Sequence, residues 1–266
     1  MKKRLLFLFI FLLLSHPLHA DTSPEESIAQ VVMVMGDDDY AAAEKLVDRF
    51  LKERPEDIWQ FRALYLKGQI SSKLSKLNNA VDIYMKLLSK YPQLKDYTML
   101  KLAVVRLELG EDTKSFELLN SILKEFPRSR LHPYAKFFLG KLHFNRADLE
   151  TAYKFFSSII EKYPKNDLVP ESMLFTGVIL RKQGKIIDAY ETFAKLFHSF
   201  PLNEFSIEAE EKIREMKQAK IKLPKFPPKF ISRRIELLMK EGEYSIVSRE
   251  CKKYLKIYTK GNLFRD

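Results

Sequence analysis

Residues 159–167 read IIEKYPKND, and nearly the same phrase stands at 87–95 (LLSKYPQLK), 122–130 (ILKEFPRSR) and 196–204 (LFHSFPLNE). Each phrase finishes an amphipathic stretch with an aromatic residue and a proline. Proline has no N–H to donate and disfavours the helical conformation in the residue before it, so each phrase marks the end of a helix. Pro55, Pro92, Pro127, Pro164 and Pro201 are 37, 35, 37 and 37 residues apart, which is the spacing of a repeat array.

Four more columns keep register with the prolines. Twelve residues before each stand Ala43, Ala80, Ser115, Ala152 and Ala189, and eight before stand Val47, Tyr84, Leu119, Phe156 and Phe193. Five before stand Phe50, Leu87, Ile122, Ile159 and Leu196, and 24 before the last four prolines stand Gly68, Ala103, Gly140 and Gly177. Small residues in two successive helices let their backbones approach, and a large one a turn later fills the space beside them. Between the paired helices, turns are predicted at Gly36-Asp37, Gly110-Glu111, Asn145 to Asp148 and Gly184-Lys185. Ser23-Pro24-Glu25-Glu26 predicts a capped opening for the first helix.

These columns resemble the tetratricopeptide repeat, whose small residue, Ala-x3-Phe and closing proline stand here as Gly140, Ala152, Phe156 and Pro164, and again as Gly177, Ala189, Phe193 and Pro201. The resemblance spans residues 24–219 and implies an all-α fold, a right-handed superhelical solenoid of antiparallel helix pairs. Two features depart from the family: the period near 37 exceeds the usual value of about 34, which predicts longer connections or longer first helices, and the large residues five before each proline, where the family often has a small one, predict a bulkier seam. The linkers FPRSRLHPYA and YPKNDLVPES are similar to those of bacterial envelope repeat proteins: the Tol-Pal-associated periplasmic coordinator, the lipoprotein of the outer-membrane β-barrel assembly machine, and the helical arms of soluble lytic murein transglycosylases.

The opening residues MKKRLLFLFIFLLLSHPLHA place three cations before an apolar run, Leu5–Leu14, and a small residue at Ala20. This is the layout of a signal peptide, residues 1–20, cleaved after Ala20. An apolar run of that length is too short to cross a hydrocarbon core, which needs about 20 residues. Export to the periplasm follows. The single cysteine, Cys251, lies far from the leader, so a lipid anchor is not expected, and it cannot form an intrachain disulfide. Residues 21–211 carry 27 basic and 29 acidic side chains, whereas residues 212–266 carry 16 and 6. The excess positive charge is therefore confined to the tail.

After the array, 21–219, the three prolines of KIKLPKFPPKF predict an extended linker at 220–230, followed by a basic helical hairpin at 231–266 that turns at Gly242. An anionic membrane surface or wall polymer suits Lys225, Lys229, Arg233, Arg234, Lys252 and Lys253, interleaved with Phe226, Phe230, Tyr254 and Tyr258. Nucleic acid would match the charge, but an exported protein seldom meets it.

Catalytic patterns are missing from the sequence. There is no HExxH, GxSxG, GxxxxGK[ST], CxxC or GxGxxG, and no cofactor is implied. His143 reads as a packing or surface residue and Cys251 as a small buried hydrophobe. Pairs such as Glu210-Glu211 and the run Asp37-Asp38-Asp39 read as helix starts and solvated faces. The resemblance implies a groove lined by the first helices. It assigns to that groove Arg62, Tyr65, Gln69 and Lys73, then Tyr97, Leu100, Val104 and Leu107. Tyr134, Phe137, Lys141 and Phe144 follow, then Leu174, Val178, Arg181 and Lys182. An aromatic and aliphatic groove with basic edges suits an extended or helical peptide with acidic side chains. The function expected is a non-catalytic periplasmic scaffold for a protein or peptide partner. The alternative is the substrate-positioning arm of a longer murein-cleaving enzyme.

Overall fold

A computed structural model describes residues 23–53, 59–225 and 227–258. The leader 1–20, the Arg54-Pro55 phrase and Phe226 lie outside the described residues. Among these residues there are thirteen α-helices and no strand. In order they are α1 (Pro24–Gly36), α2 (Tyr40–Glu53), α3 (Gln60–Lys73), α4 (Leu77–Lys90), α5 (Lys95–Glu108), α6 (Asp112–Glu125) and α7 (His132–Asn145). They continue with α8 (Leu149–Lys162), α9 (Val169–Lys182), α10 (Ile186–Ser199), α11 (Glu204–Gln218), α12 (Pro228–Lys240) and α13 (Tyr244–Tyr258).

The repeat length is set by the connections and not by longer helices. From α2 to α10 each helix has 14 residues, three residues join the helices of a pair, and six separate α8 from α9. The one spacing of 35 residues follows the connection that is shortened to a single 3-10 turn, Pro92–Leu94. The aromatic residues Tyr91, Phe126, Tyr163 and Phe200 cap α4, α6, α8 and α10. Tyr91 then packs edge-on against Phe61, with 5.3 Å between ring centroids.

Every turn within a pair closes by the same pair of main-chain bonds. At Gly184, for example, Lys185 N donates to Leu180 O at 2.9 Å and Gly184 N to Arg181 O at 3.1 Å, a Schellman cap that needs one residue in the left-handed region. Gly110, Gly184 and Gly242 supply it at φ of 74°, 75° and 79°, but Ser75 and Ala147 supply it at 58° and 61°. The Ser75 turn was not predicted. In the first turn the left-handed residue is Asp38 (φ 59°), whereas Gly36, predicted there, ends α1. Ser23 caps α1 as predicted, with Glu26 N donating to Ser23 Oγ and Ser23 N to Glu26 Oε2. The acidic run also works as a cap, since Ala42 N donates to Asp39 Oδ1.

The columns form the core. Every side chain named twelve, eight and five residues before a proline is buried. In three pairs the glycine of the first helix faces the large residue of its partner. A Cβ placed on Gly68 would lie 2.6 Å from a ring atom of Tyr84, one on Gly140 2.9 Å from Phe156, and one on Gly177 2.4 Å from Phe193. Where the first helix carries Ala103 instead of glycine, the large column carries Leu119 instead of an aromatic ring. Volume gained on one helix is given up on the other, as close packing requires. Ser115 Oγ donates to Ala103 O at 2.8 Å, so the polar member of the small column is satisfied without leaving the seam.

The helices fall into two compact units, one ending at Ser129 and one beginning at Arg130. In the second unit α11 packs on α10 and the chain then crosses to α12, which also lies against α10. The connecting segment is a strap more than a free spacer, because Ile221 and Leu223 pack on the core of that unit. Arg234 of α12 is 5% exposed. Its guanidinium lies 3.8 Å from the centroid of the Phe197 ring and donates to Phe197 O.

Candidate functional site

In the first unit α3 and α5 each present one stripe at spacing i, i+4, i+7, i+11, a single face of a helix. The stripes are Arg62, Leu66, Gln69 and Lys73 on α3, and Tyr97, Lys101, Val104 and Glu108 on α5. In both, the ends are exposed and the middle is half-buried. Arg62 lies 4.2 Å from the centroid of the Trp59 ring, and Tyr97 is 41% exposed. Between the stripes and α1 opens a cavity of about 380 Å³ lined by Met35, Tyr40, Gln69, Ser72, Lys73, Tyr84, Lys101, Val104, Val105 and Glu108. Two lysines and one glutamate supply its charge. Burial pushes the Lys101 ammonium below its ordinary range, and the like charge of Lys73 adds to the effect. A half-buried cation held beside a second cation favours any incoming carboxylate, because one anion relieves both.

The second unit repeats the stripe with Tyr134, Phe138, Lys141 and Asn145 on α7, and Glu171, Phe175, Val178 and Lys182 on α9. Here the charges are answered from within. Lys141 Nζ is 3.8 Å from Glu171 and 5.4 Å from the centroid of the Phe137 ring. Arg181 pairs with Glu215 at 2.7 Å, Lys182 lies 5.6 Å from the Phe144 ring centroid, and Tyr134 Oη donates to Asp167 at 2.8 Å. Burial raises the Glu171 carboxyl against the pull of Lys141. The basic edge expected along the whole groove is therefore paired in this unit.

Several sequence assignments need correction. Leu100, Phe137 and Leu174 are buried core residues, not groove residues. The next column, at Leu66, Lys101, Phe138 and Phe175, is half-buried, with Leu66, Phe138 and Phe175 packed at the edge of the core. Tyr65, in the same column as Leu100, turns toward Tyr84 with ring centroids 6.2 Å apart. Leu107, Phe144 and Val178 are half-buried, and Arg62, Lys73, Tyr97, Arg181 and Lys182 are exposed. In the tail Lys225, Lys229, Arg233, Lys252 and Lys253 are exposed, but Arg234 serves the core and cannot meet a surface. Cys251 is partly exposed where full burial was expected. His143 stacks on Phe155 and holds Asp148 at 2.9 Å. Glu210, expected on a solvated face, lines a cavity. Among the described residues no group of three His, Cys, Asp or Glu could hold a metal ion, and no helix is long and apolar enough to cross a membrane.

The profile of the YfiO outer membrane lipoprotein family matches residues 62–221. The chain belongs to that family. The match is carried by the repeats from α3 to the strap, in which Cys251 takes no part, so the position of the cysteine does not bear on membership. No curated protein matches the chain. Among solved structures, a tetratricopeptide repeat protein from Parabacteroides merdae covers 90% of this chain and 94% of its own at 19% identity and a TM-score of 0.50. A tetratricopeptide protein of Thermus thermophilus covers 73% and 98% at 17% identity and 0.54. The pilF protein of Pseudomonas aeruginosa covers 73% and 83% at 13% identity and 0.56. These likenesses show the fold. Both stripes of the first unit lie within the family match, while α1, α2 and the basic hairpin lie outside it.

Proposed function

We propose that the chain is a non-catalytic scaffold of the cell envelope, working in the periplasm, that holds an acidic segment of a protein partner along α3 and α5. The observation that carries this reading is the cavity shared by Lys73 and Lys101, where two cations, one of them half-buried, stand with a single carboxylate, Glu108, beside the apolar Met35, Val104 and Val105. A segment laid there would set a carboxylate between the lysines and apolar side chains against Val104 and Met35, the mixture of anchor and charge that peptide grooves use. Membership of an outer membrane lipoprotein family supports the envelope setting. The second unit fits less well, since its Lys141 and Arg181 pair with its own carboxylates, while Lys73 of the first unit lies over the Tyr40 ring.

Lys73 and Tyr97 are exposed, so replacing them leaves the core intact. Tagged wild type and Lys73→Glu/Tyr97→Ala should be compared for recovery of partners from envelope extract, with Lys182→Glu as the control in the second unit. A partner lost only with the double variant, and progressively released by salt, is the expected result. Equal recovery with all three proteins would remove the first-unit stripe as the site.

A further inference from the structure

Beyond the last repeat of the second unit lies a cavity of about 490 Å³, within the range of roughly 300–1,000 Å³ typical of small-molecule sites. The apolar part of its wall is built from Ala194 and Phe197 of α10, Ile213 of α11, Leu223 of the strap and Ile231 of α12, with His198 beside them. Lys217, Lys225 and Lys253 also line it, together with Glu210 and Glu250. Both carboxylates act on the buried Arg234 guanidinium, and Glu250, 8% exposed, also lies 3.6 Å from Lys253. Glu250 is therefore already countered.

Lys253 belongs to a second hollow as well. That hollow, about 390 Å³ on the face of α13, is lined by Ser245, Ser248, Arg249, Lys252 and Lys253. It contains three cations, two hydroxyls and no acid. The cavity, with its apolar side chains, and the cationic hollow thus share one lysine.

We infer that this end of the second unit binds a single-chain anionic amphiphile, such as a fatty acid or a lysophospholipid. The alkyl chain enters the cavity between α10, α11 and the strap, displacing water from apolar surface. The phosphate or carboxylate stays outside on Arg249, Lys252 and Lys253, where charge-assisted bonds are strongest. The cavity suits one chain and not a pair, so the ligand is a single-chain molecule and not an intact bilayer. This site is independent of the peptide stripe in the first unit.

The probe is dodecyl phosphate, titrated below its micelle concentration into the full chain by calorimetry, with dodecanoate as the carboxylate-headed arm. Binding of one molecule per chain is expected for both. Dodecyltrimethylammonium and butyl phosphate, which lack the charge and the chain respectively, should each bind at least tenfold more weakly. Lys252→Glu/Lys253→Glu, at two exposed positions, should weaken dodecyl phosphate at least tenfold with helical content unchanged. Ile231→Trp, which fills the cavity from a half-buried position, should do the same. Equal affinity for the cationic analogue, or full affinity in both variants, would overturn the inference. So would an acidic leucine-bearing peptide that binds where dodecyl phosphate does not.

Discussion

Gly177 offers the sharpest test of how the helix pairs are held together. A Cβ there would lie 2.4, 2.7 and 2.8 Å from three ring atoms of Phe193, whereas carbon atoms in contact prefer about 3.5–4.0 Å. The ring would have to retreat by about 1 Å, and it has nowhere to go, because Phe193 is fully buried within the core of the second unit. Overpacking of this kind costs about 1–3 kcal/mol, partly offset by the ~1 kcal/mol that alanine gains over glycine within a helix. Gly177→Ala should therefore destabilise α9 and α10 by up to about 2 kcal/mol. Gly36→Ala, where a Cβ meets nothing within 4 Å, should show only the gain. Because the chain has two compact units, hydrogen exchange resolved along the sequence is the suitable assay, reading α9 and α10 separately from the rest. The Ala103 and Leu119 pairing suggests the rescue. Gly177→Ala/Phe193→Leu should be more stable than the sum of the single changes by at least about 1 kcal/mol. If Gly177→Ala protects α9 and α10 as well as Gly36→Ala protects α1, the ring does not fill the space and the packing account is wrong.

Two further outcomes follow from the turns and from a half-buried histidine. Ala147 holds a left-handed φ of 61°, a conformation that costs a residue with a Cβ about 1 kcal/mol, so Ala147→Gly should raise the melting temperature while a glycine at exposed, helical Lys154 lowers it. Burial, aided by the charges of Arg234 and Lys217, lowers His198 from 6.5 to about 4. The unfolded chain binds the proton first, so stability present above pH 6.5 is lost as pH falls toward 4, by about 3 kcal/mol at about 1.36 kcal/mol per unit. His198→Gln should flatten that part of the denaturation curve relative to wild type, and an unchanged slope between pH 7 and 5 would count against it.

The sequence alone determined the helix pairs, because their signals are local. A proline cannot donate within a helix, and a small residue recurring in register with a large one has one purpose in a packed array. The same columns even disclose the exchange of Gly140 and Phe156 for Ala103 and Leu119. Local pattern failed where one residue of rotation matters. Phe137 and Phe138 are neighbours of one chemical type, and only the packing of α7 against α8 and α9 decides that Phe137 is buried while Phe138 is half-exposed. The charges were similarly illegible in advance. Arg234 reads as part of a basic tail, yet the strap returns α12 to α10 and places its guanidinium on Phe197, while Lys101 and Lys73, on different helices, share a cavity. Burial and charge pairing depend on which helices meet, so the stripe, the paired rim of the second unit and the terminal cavity belong to the tertiary structure.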